Sequence, residues 1–540
     1  MNVRGLISKA IFYLILFFLC SWAIKPLLRP GFFAAHDAVW HIARFYQFHL
    51  SFSSGQIPPR WAPTLFNGLG YPAFIVNFHL PYYLMEIIYR LGFGLVDTYK
   101  IVLGLSVIAS GFFAFLFLRS IFPTLPAIVG SLFFIYSPYR FATLYARGAI
   151  GEILAIAIVP LVFLSLELFR KDKNYGGPLF AISLFLLIIA HPVIFLMFTP
   201  IILLYLFLFS QTRIKSIFWF LTGCVISSFA TLPYFFERKY LMIDEVYKNV
   251  FLEHFPNLFA ILRIPAFGAD LGSPFQIGIV HWVIVLLSIV AFLKFRRNLN
   301  GIDKLFLISI VFFFIGLFFM SRASIILWQN LPFLSIILFP WRFLNLLVFS
   351  SAIASAYLIF KLRNNKLLSL ILIVAVIYVS RHWWGWVGQI PNSDNYYKNY
   401  QETTTAEGEF TPKGISSQIT NFTSKKIEIL AGHGDILDER IKYNKWEFKA
   451  KTSEDIFVKL ALLYFPGWQA IDHGNKIPII KNFTMMKNNY NGLIVLKLPA
   501  GNHQVKVAFG ETPIRLLGDY LTLIVFLPII FRMFQLKFRR

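Results

Sequence analysis

A chain of 540 residues in which 57% are hydrophobic and only 14% are charged does not make a soluble domain, since soluble chains carry about 25% charged residues. The net charge of +24 accompanies Lys and Arg clusters at the ends of apolar runs, where they set membrane orientation and meet anionic lipid headgroups, so nucleic acid is not the expected partner. Cys20 and Cys224, the two cysteines, both lie in apolar runs and exclude a disulfide framework or a cysteine metal site.

In chain order, Leu6 to Ile24 follows Arg4 and Lys9, lacks a small-residue cleavage site and precedes many further apolar runs. It reads as a retained first helix rather than a signal peptide. Next comes a polar-rich loop, 25–97, in which Pro81 to Leu95 carries Glu86 and Arg90 and reads as a helix lying at the interface. Further apolar stretches fall near 98–118, 124–138, 151–169, 178–190, 193–210, 216–235, 279–295, 303–320, 343–360, 366–380 and 515–533, which makes about twelve spans on the usual length scale. With the amino terminus inside, Arg119, then Arg170, Lys171 and Lys173, then Arg213 and Lys215, then Lys294, Arg296 and Arg297, then Lys361, Arg363 and Lys366, and finally Lys537, Arg539 and Arg540 all face the cytoplasm. That alternation follows the positive-inside rule and puts both termini inside a multi-pass cytoplasmic-membrane protein.

The informative loops then gather on the outer side: 25–97, the turn "YRFATLYARGAIGE", the "AHP" turn at His191, Glu237 to Gly278, Ser321 to Arg342, and the tail from Arg381. In that tail charge rises, and stretches such as "KWEFKAK", "GLIVLKL" and "HQVKVAF" show partial period-2 alternation between turn signals. The expected organisation is a helical membrane domain over 1–380 with a catalytic first outer loop at 25–97, an extracytoplasmic β-sandwich-like domain over 381–512, and a final span with a basic cytoplasmic tail over 513–540.

The stretch "PGFFAAHDAVWHIARFYQFHL" places His36, Asp37, His41 and Arg44 directly after the first span. Asp37 and His41 are four apart, as are Trp40 and Arg44, so on a helix each pair shares a face. Three readings stand for this pattern alone: a wetted interfacial helix, a metal site from His36, Asp37 and His41, or a general base beside a membrane-embedded substrate.

The run "HDAVWHIARFYQFHLSFSSGQIPPRWAPTLFNGLGYPAFIVNFHLPYYL", then "ARGAIGEILAIAIVPL", "AHPVIF" and "LPFLSIILFPWRFLNLL" resembles the bacterial and archaeal membrane proteins labelled 6-pyruvoyl-tetrahydropterin synthase-related, which look like GT-C glycosyltransferases. The tail segments "YFPGWQAIDHGNKIPI" and "GLIVLKLPAGNHQVKV" add a similarity to YfhO-like proteins. The pterin label implies no pterin chemistry. What the resemblance implies is a polytopic α-helical, GT-C-like fold and transfer of a sugar from a polyprenyl-phosphate donor to a glycan, lipid or protein acceptor at the outer face. Asp37 would be the base of a direct displacement that inverts the anomeric centre, and one carboxylate suffices because a phosphate leaves without a proton donor.

Within that frame Glu152, at the start of a span, is a second catalytic or acceptor-contacting candidate, or a helix-dipole cap. Arg147 and, above all, Arg342 in "FPWRF" sit on the outer side against the positive-inside trend and suit a phosphate. Arg60 in "PPRW" is read the same way, and Trp61 or Trp341 would stack on a sugar or join an aromatic belt. His36, His41 and His191 are candidate substrate contacts, His191 equally a structural helix-end residue. His36 stands where many GT-C relatives carry a second acid, so a divalent metal is left unassigned. A lipid or polysaccharide transporter or flippase would want internal repeats and ionisable groups at mid-membrane depth, and a noncatalytic scaffold would present the β domain without using Asp37 or Arg342.

Overall fold

The computed structural model describes residues 3–210, 212–257, 275–296, 299–381, 384, 388–422 and 424–538. Arg297, Arg539 and Arg540 of the expected cytoplasmic clusters, and 258–274 of the expected loop from Glu237 to Gly278, lie outside the described residues. Among the described residues six helices are long and apolar enough to cross a membrane: Leu95–Arg119, Ile150–Arg170, Pro192–Phe209, Gly301–Met320, Pro340–Lys361 and Pro513–Gln535. Arg213–Ile226 and Ser228–Tyr240, bent by 68° where they meet, make a further crossing if they act together. The count of about twelve is not reached at spanning length, because Tyr13–Trp22, Thr124–Ile135, Gly176–Ala190, Ile279–Phe295 and Lys366–Ser380 are shorter apolar helices. Proline explains two early stops. Ser137 before Pro138 and His191 before Pro192 both leave the helical region, at φ −104° and −165°, as the proline ring demands of the residue preceding it.

Pro340–Lys361 is the most enclosed of the long helices. Its middle carries the buried small residues Ser350, Ser351, Ala352, Ala354, Ser355 and Ala356, which let neighbours approach closely where lipid supplies no hydrophobic drive between helices. A Cβ on Gly130 of Thr124–Ile135 would lie 2.8 Å from the Ala352 carbonyl oxygen, so only glycine permits that crossing. Hydrogen bonds link the same helix to Ile279–Phe295: His281 Nδ1 lies 2.8 Å from Ser351 Oγ, and Ser288 Oγ donates to the Ala354 carbonyl at 2.8 Å. These contacts hold the start of the helix, with Arg342 and Asn345, in a rigid position.

The first loop holds two helices, Ala38–Ser53 and Leu80–Arg90. The second is the short amphipathic helix expected here, and it stops before Gly92, whose φ is +96°. Glu86 on it accepts from Arg90 at 2.6 Å and pairs with His49 at 3.0 Å.

The tail folds into antiparallel sheets. One has the strand order β1 (Ile427–Ala431), β4 (Ile456–Leu463), β10 (Leu493–Leu498), β7 (Ile479–Ile480). The other runs β2 (Gly434–Lys442), β3 (Lys445–Thr452), β11 (Gly501–Phe509), β5 (Trp468–Asp472), β6 (Asn475–Ile477). β8 (Thr484–Met485) and β9 (Asn488–Asn489) form a small hairpin. Along β3 and β11 burial alternates, with Trp446, Phe448 and Ala450 facing in beside Val505 and Val507. β4 is buried almost throughout, because one side of its sheet is covered by the first loop: Leu463 N–H donates to the Leu69 carbonyl at 3.2 Å, and Lys426 Nζ to Gly68 at 3.1 Å.

Candidate active site

Two backbone features place the central residues. Ala142–Arg147 forms a π-helical turn, a wide turn found mostly at functional sites, and Gly148 ends it at φ +65°. A Cβ there would lie 2.7 Å from the Tyr99 hydroxyl, so the reversal that presents Arg147 requires glycine on both counts. The first loop docks on this turn through main-chain bonds, His36 N–H to the Ala146 carbonyl at 3.1 Å and Asp37 N–H to the Arg147 carbonyl at 2.9 Å. Asp37 thereby becomes the residue before Ala38–Ser53, and its side chain faces Arg147 at 3.7 Å.

From Asp37 a line of charges runs inward. Arg147 Nη1 donates to Glu152 Oε2 at 2.7 Å, and Arg342 Nε lies 3.8 Å from the same oxygen. Glu152 is 1% exposed, and its other oxygen accepts from the Tyr139 hydroxyl at 2.7 Å and from Asn345 Nδ2 at 2.9 Å. Burial opposes the charge on Arg147, but Glu152 and Asp37 beside it raise its pKa above the ordinary value. Arg342 donates from Nη1 to the Ile337 carbonyl at 2.6 Å and stacks on Phe339, while its buried Nε makes no hydrogen bond. Nδ1 of His191 and Nε1 of Trp341 are likewise buried and unbonded.

These groups line one cavity of about 1210 Å³, whose walls include His36, Asp37, His41, Arg147, Glu152, His191 and Arg342. Residues expected to cooperate from four separate stretches of sequence are thus brought together. His36 is exposed at its edge, and the His191 ring stacks on Phe78. His41 turns its ring nitrogen to the Tyr82 hydroxyl at 3.2 Å, and burial together with Arg44 and Arg147 holds its imidazole well below the ordinary histidine pKa.

One expectation is corrected. Arg60 does not line the cavity: it is wholly buried, donating to Asp519 at 2.8 Å and to the Phe229 carbonyl at 2.7 Å. It ties the first loop to the last membrane helix, and Trp61 beside it packs edge-on against Trp468 of β5 instead of meeting a ligand or lipid. Glu152, expected as a catalytic or acceptor-contacting residue or as a dipole cap, stands in the first turn of Ile150–Arg170 and lines the cavity, with its oxygens bonded to Tyr139, Asn345 and Arg147. Asn345 carried a signal in the sequence, since it follows Arg342 by three residues and so shares its helix face.

The far wall was missed altogether. Segment 401–413, between the membrane helices and the sheets, crosses the cavity as a strap. On one side Asn67 N–H donates to the Gln401 carbonyl at 2.7 Å and Arg44 Nε to Thr404 Oγ1 at 3.0 Å. On the other side Met242 N–H donates to the Thr411 carbonyl at 2.9 Å, and the Tyr247 hydroxyl to Glu409 at 2.8 Å. Thr404, Glu409 and Phe410 from this strap line the cavity. Among the described residues no group of three or more His, Cys, Asp or Glu side chains is gathered for a metal ion.

Residues 76–386, more than half of the chain, match the family of the 6-pyruvoyl-tetrahydropterin synthase related domain, described as a membrane protein. No curated protein matches the chain. Among solved structures, the arabinofuranosyltransferase AftD from Mycobacteria is similar at a TM-score of 0.45 and 13% identity, over 75% of this chain and 27% of its own. The oligosaccharyltransferase of Archaeoglobus fulgidus is similar at 0.41 and 13% identity, over 75% of this chain and 62% of its own. A second structure of that archaeal protein, in complex with an inhibitory peptide and a dolichol-phosphate, is similar at 0.40 and 13% identity over the same shares. The chain thus spans about a quarter of the first protein and less than two thirds of the second.

Proposed function

The chain belongs to the membrane-protein family of the 6-pyruvoyl-tetrahydropterin synthase related domain, and we propose that it is a glycosyltransferase working at the outer face of the cytoplasmic membrane. It takes a sugar from a polyprenyl-phosphate donor and passes it to an acceptor hydroxyl with inversion. The observation that carries this reading is the pairing of Asp37 with Arg147, 3.7 Å apart, on the wall of a cavity that Arg342 also lines.

Each group has a chemical task. Asp37, the less buried partner with 30% of its side chain exposed, accepts the proton of the acceptor hydroxyl as that oxygen attacks the anomeric carbon. The bond from that carbon to the lipid phosphate breaks with its electron pair going to the phosphate. Arg147 and Arg342 offset the charge on the departing phosphate, and in a cavity sheltered from water such preset cations act more strongly than in bulk. Glu152, with Tyr139 and Asn345, keeps the two guanidiniums in place. His191 stands beside them with a free ring nitrogen. The cavity residues sit at helix ends and in loops, which favours chemistry at a membrane surface over a substrate path through mid-membrane.

The test is transfer of labelled sugar from polyprenyl-phosphate donors into a membrane extract by purified protein. Wild type is expected to transfer from at least one donor, and Asp37→Asn to lose about a hundredfold or more of that rate, the usual scale for a general base. Full activity in the variant removes Asp37 from the mechanism. A wild type inert toward every donor overturns the reading.

A further inference from the structure

Resting on the glycosyl-transfer reading, we infer that the strap 401–413 forms the acceptor subsite, with Glu409 and Tyr247 gripping hydroxyl groups of a carbohydrate acceptor. Arg44, Arg238 and Lys248 line the cavity as well as Arg147 and Arg342, and the strap adds a carboxylate to it. Arg147 and Arg342 crowd one wall, where an anionic donor is held. The strap wall presents a carboxylate, which repels a phosphate but accepts hydrogen bonds from neutral hydroxyls.

Glu409 has the capacity for such bonds. It is 5% exposed yet lines the cavity, and it accepts from the Tyr247 hydroxyl at 2.8 Å and from the Glu407 N–H at 3.1 Å. An ionised carboxylate offers about four acceptor positions, so these two bonds orient it and leave others for a ligand. Its geometry is held from both sides. Tyr247 sits on a segment that the strap grips through main-chain bonds, and Arg44 clamps Thr404 while lying 5.5 Å over the Phe410 ring. Phe410 and Trp40 add aromatic surface to the same wall, and an aromatic face beside a hydroxyl-accepting carboxylate suits a sugar ring better than an acyl chain. The strap is followed in the chain by the turn Ile419–Phe422 and then by β1 at Ile427, so the sheet region is joined to the wall that receives the acceptor.

The experiment compares two reactions of one purified protein, transfer of labelled sugar from the polyprenyl-phosphate donor to a panel of nitrophenyl glycosides, and release of the same sugar to water without added acceptor. Glu409→Gln is expected to raise the KM for the glycoside by about tenfold to a hundredfold, the weight of a hydrogen bond to a charged group. Donor KM and release to water should stay at wild-type values. Tyr247→Phe, which keeps the ring, is expected to raise the same KM by a smaller factor. Equal losses in transfer and release, or an unchanged glycoside KM in both variants, overturn the strap assignment while leaving the transferase reading intact. Wild-type transfer to hydroxyl-bearing peptides but to no glycoside overturns the carbohydrate assignment alone. A wild type that neither transfers nor releases sugar overturns both.

Discussion

Two clusters of buried charge stand on opposite terms with empty space. In the first, Arg147 and Arg342 share Glu152 and border a large cavity, with Asp37 at its mouth. In the second, Arg515 meets Glu237 at 2.8 Å and also donates to the carbonyls of Gly510 and Pro466, while Arg60 meets Asp519 and Phe229. Neither Arg60 nor Arg515 borders the cavity. Both clusters carry the high cost of burying charge. The second recovers it by binding the first loop, the bent helix pair and the last helix to one another. In the first, both arginines also line a cavity, which is the condition for meeting a ligand. The residue type is the same, and what differs is whether protein or cavity lies beyond it.

The comparison can be broken by mutation. The largest effect is expected from Glu237→Ala, which strands the wholly buried Arg515 and should cost about 3 to 5 kcal/mol, read as a collapse of the melting temperature in detergent. A variant that melts like wild type would show the second cluster to be dispensable. Asp37→Asn comes next, with transfer reduced about a hundredfold or more at unchanged melting temperature; a parallel fall in stability would move Asp37 into the structural class.

Arg342→Lys retains the charge but loses the planar fork, so donor KM should rise by about tenfold while stability changes little. If glycoside KM responds in place of donor KM, the cationic wall has been assigned to the wrong substrate. The smallest effect concerns acid. Burial, with Arg60 nearby, lowers the pKa of His79 to about 3, so the folded chain keeps it neutral where the unfolded chain protonates it. Stability from this group is complete above its unfolded value, near pH 6.5, and falls as the pH drops toward 3. A thermal-melt series from pH 7.5 to about 5 should show the decline, and His79→Gln should make it shallower by this residue's share, with buried His41 supplying part of the rest.

Much of this was legible in one dimension. Asp37, Arg147 and Arg342 could be picked out because each is an ionisable residue at the end of an apolar run, an arrangement that costs free energy unless it is used. The short helix Leu80–Arg90 and the strands of the tail followed from charge spacing and from alternation. Arg60, like Arg342, is an arginine next to a tryptophan and close to a proline, and the arrival of Asp519, 459 positions away, is what takes it out of the cavity. Glu409 gave no signal either: in "TTTAEGEF" it is one acid among polar residues, and it becomes a wall of the cavity because the strap is pinned between Arg44 and Tyr247.

The sequence by itself determined the membrane class and the local geometry that depends on near neighbours, such as the glycine turn after Arg147 and the stops before Pro138 and Pro192. Those follow from hydropathy, from backbone sterics and from residues within a few positions. The tertiary structure decided which buried arginines are spent on protein and which face a cavity, because that depends on which distant carboxylates and carbonyls the packing of helices brings within about 3 Å, the reach of a hydrogen bond.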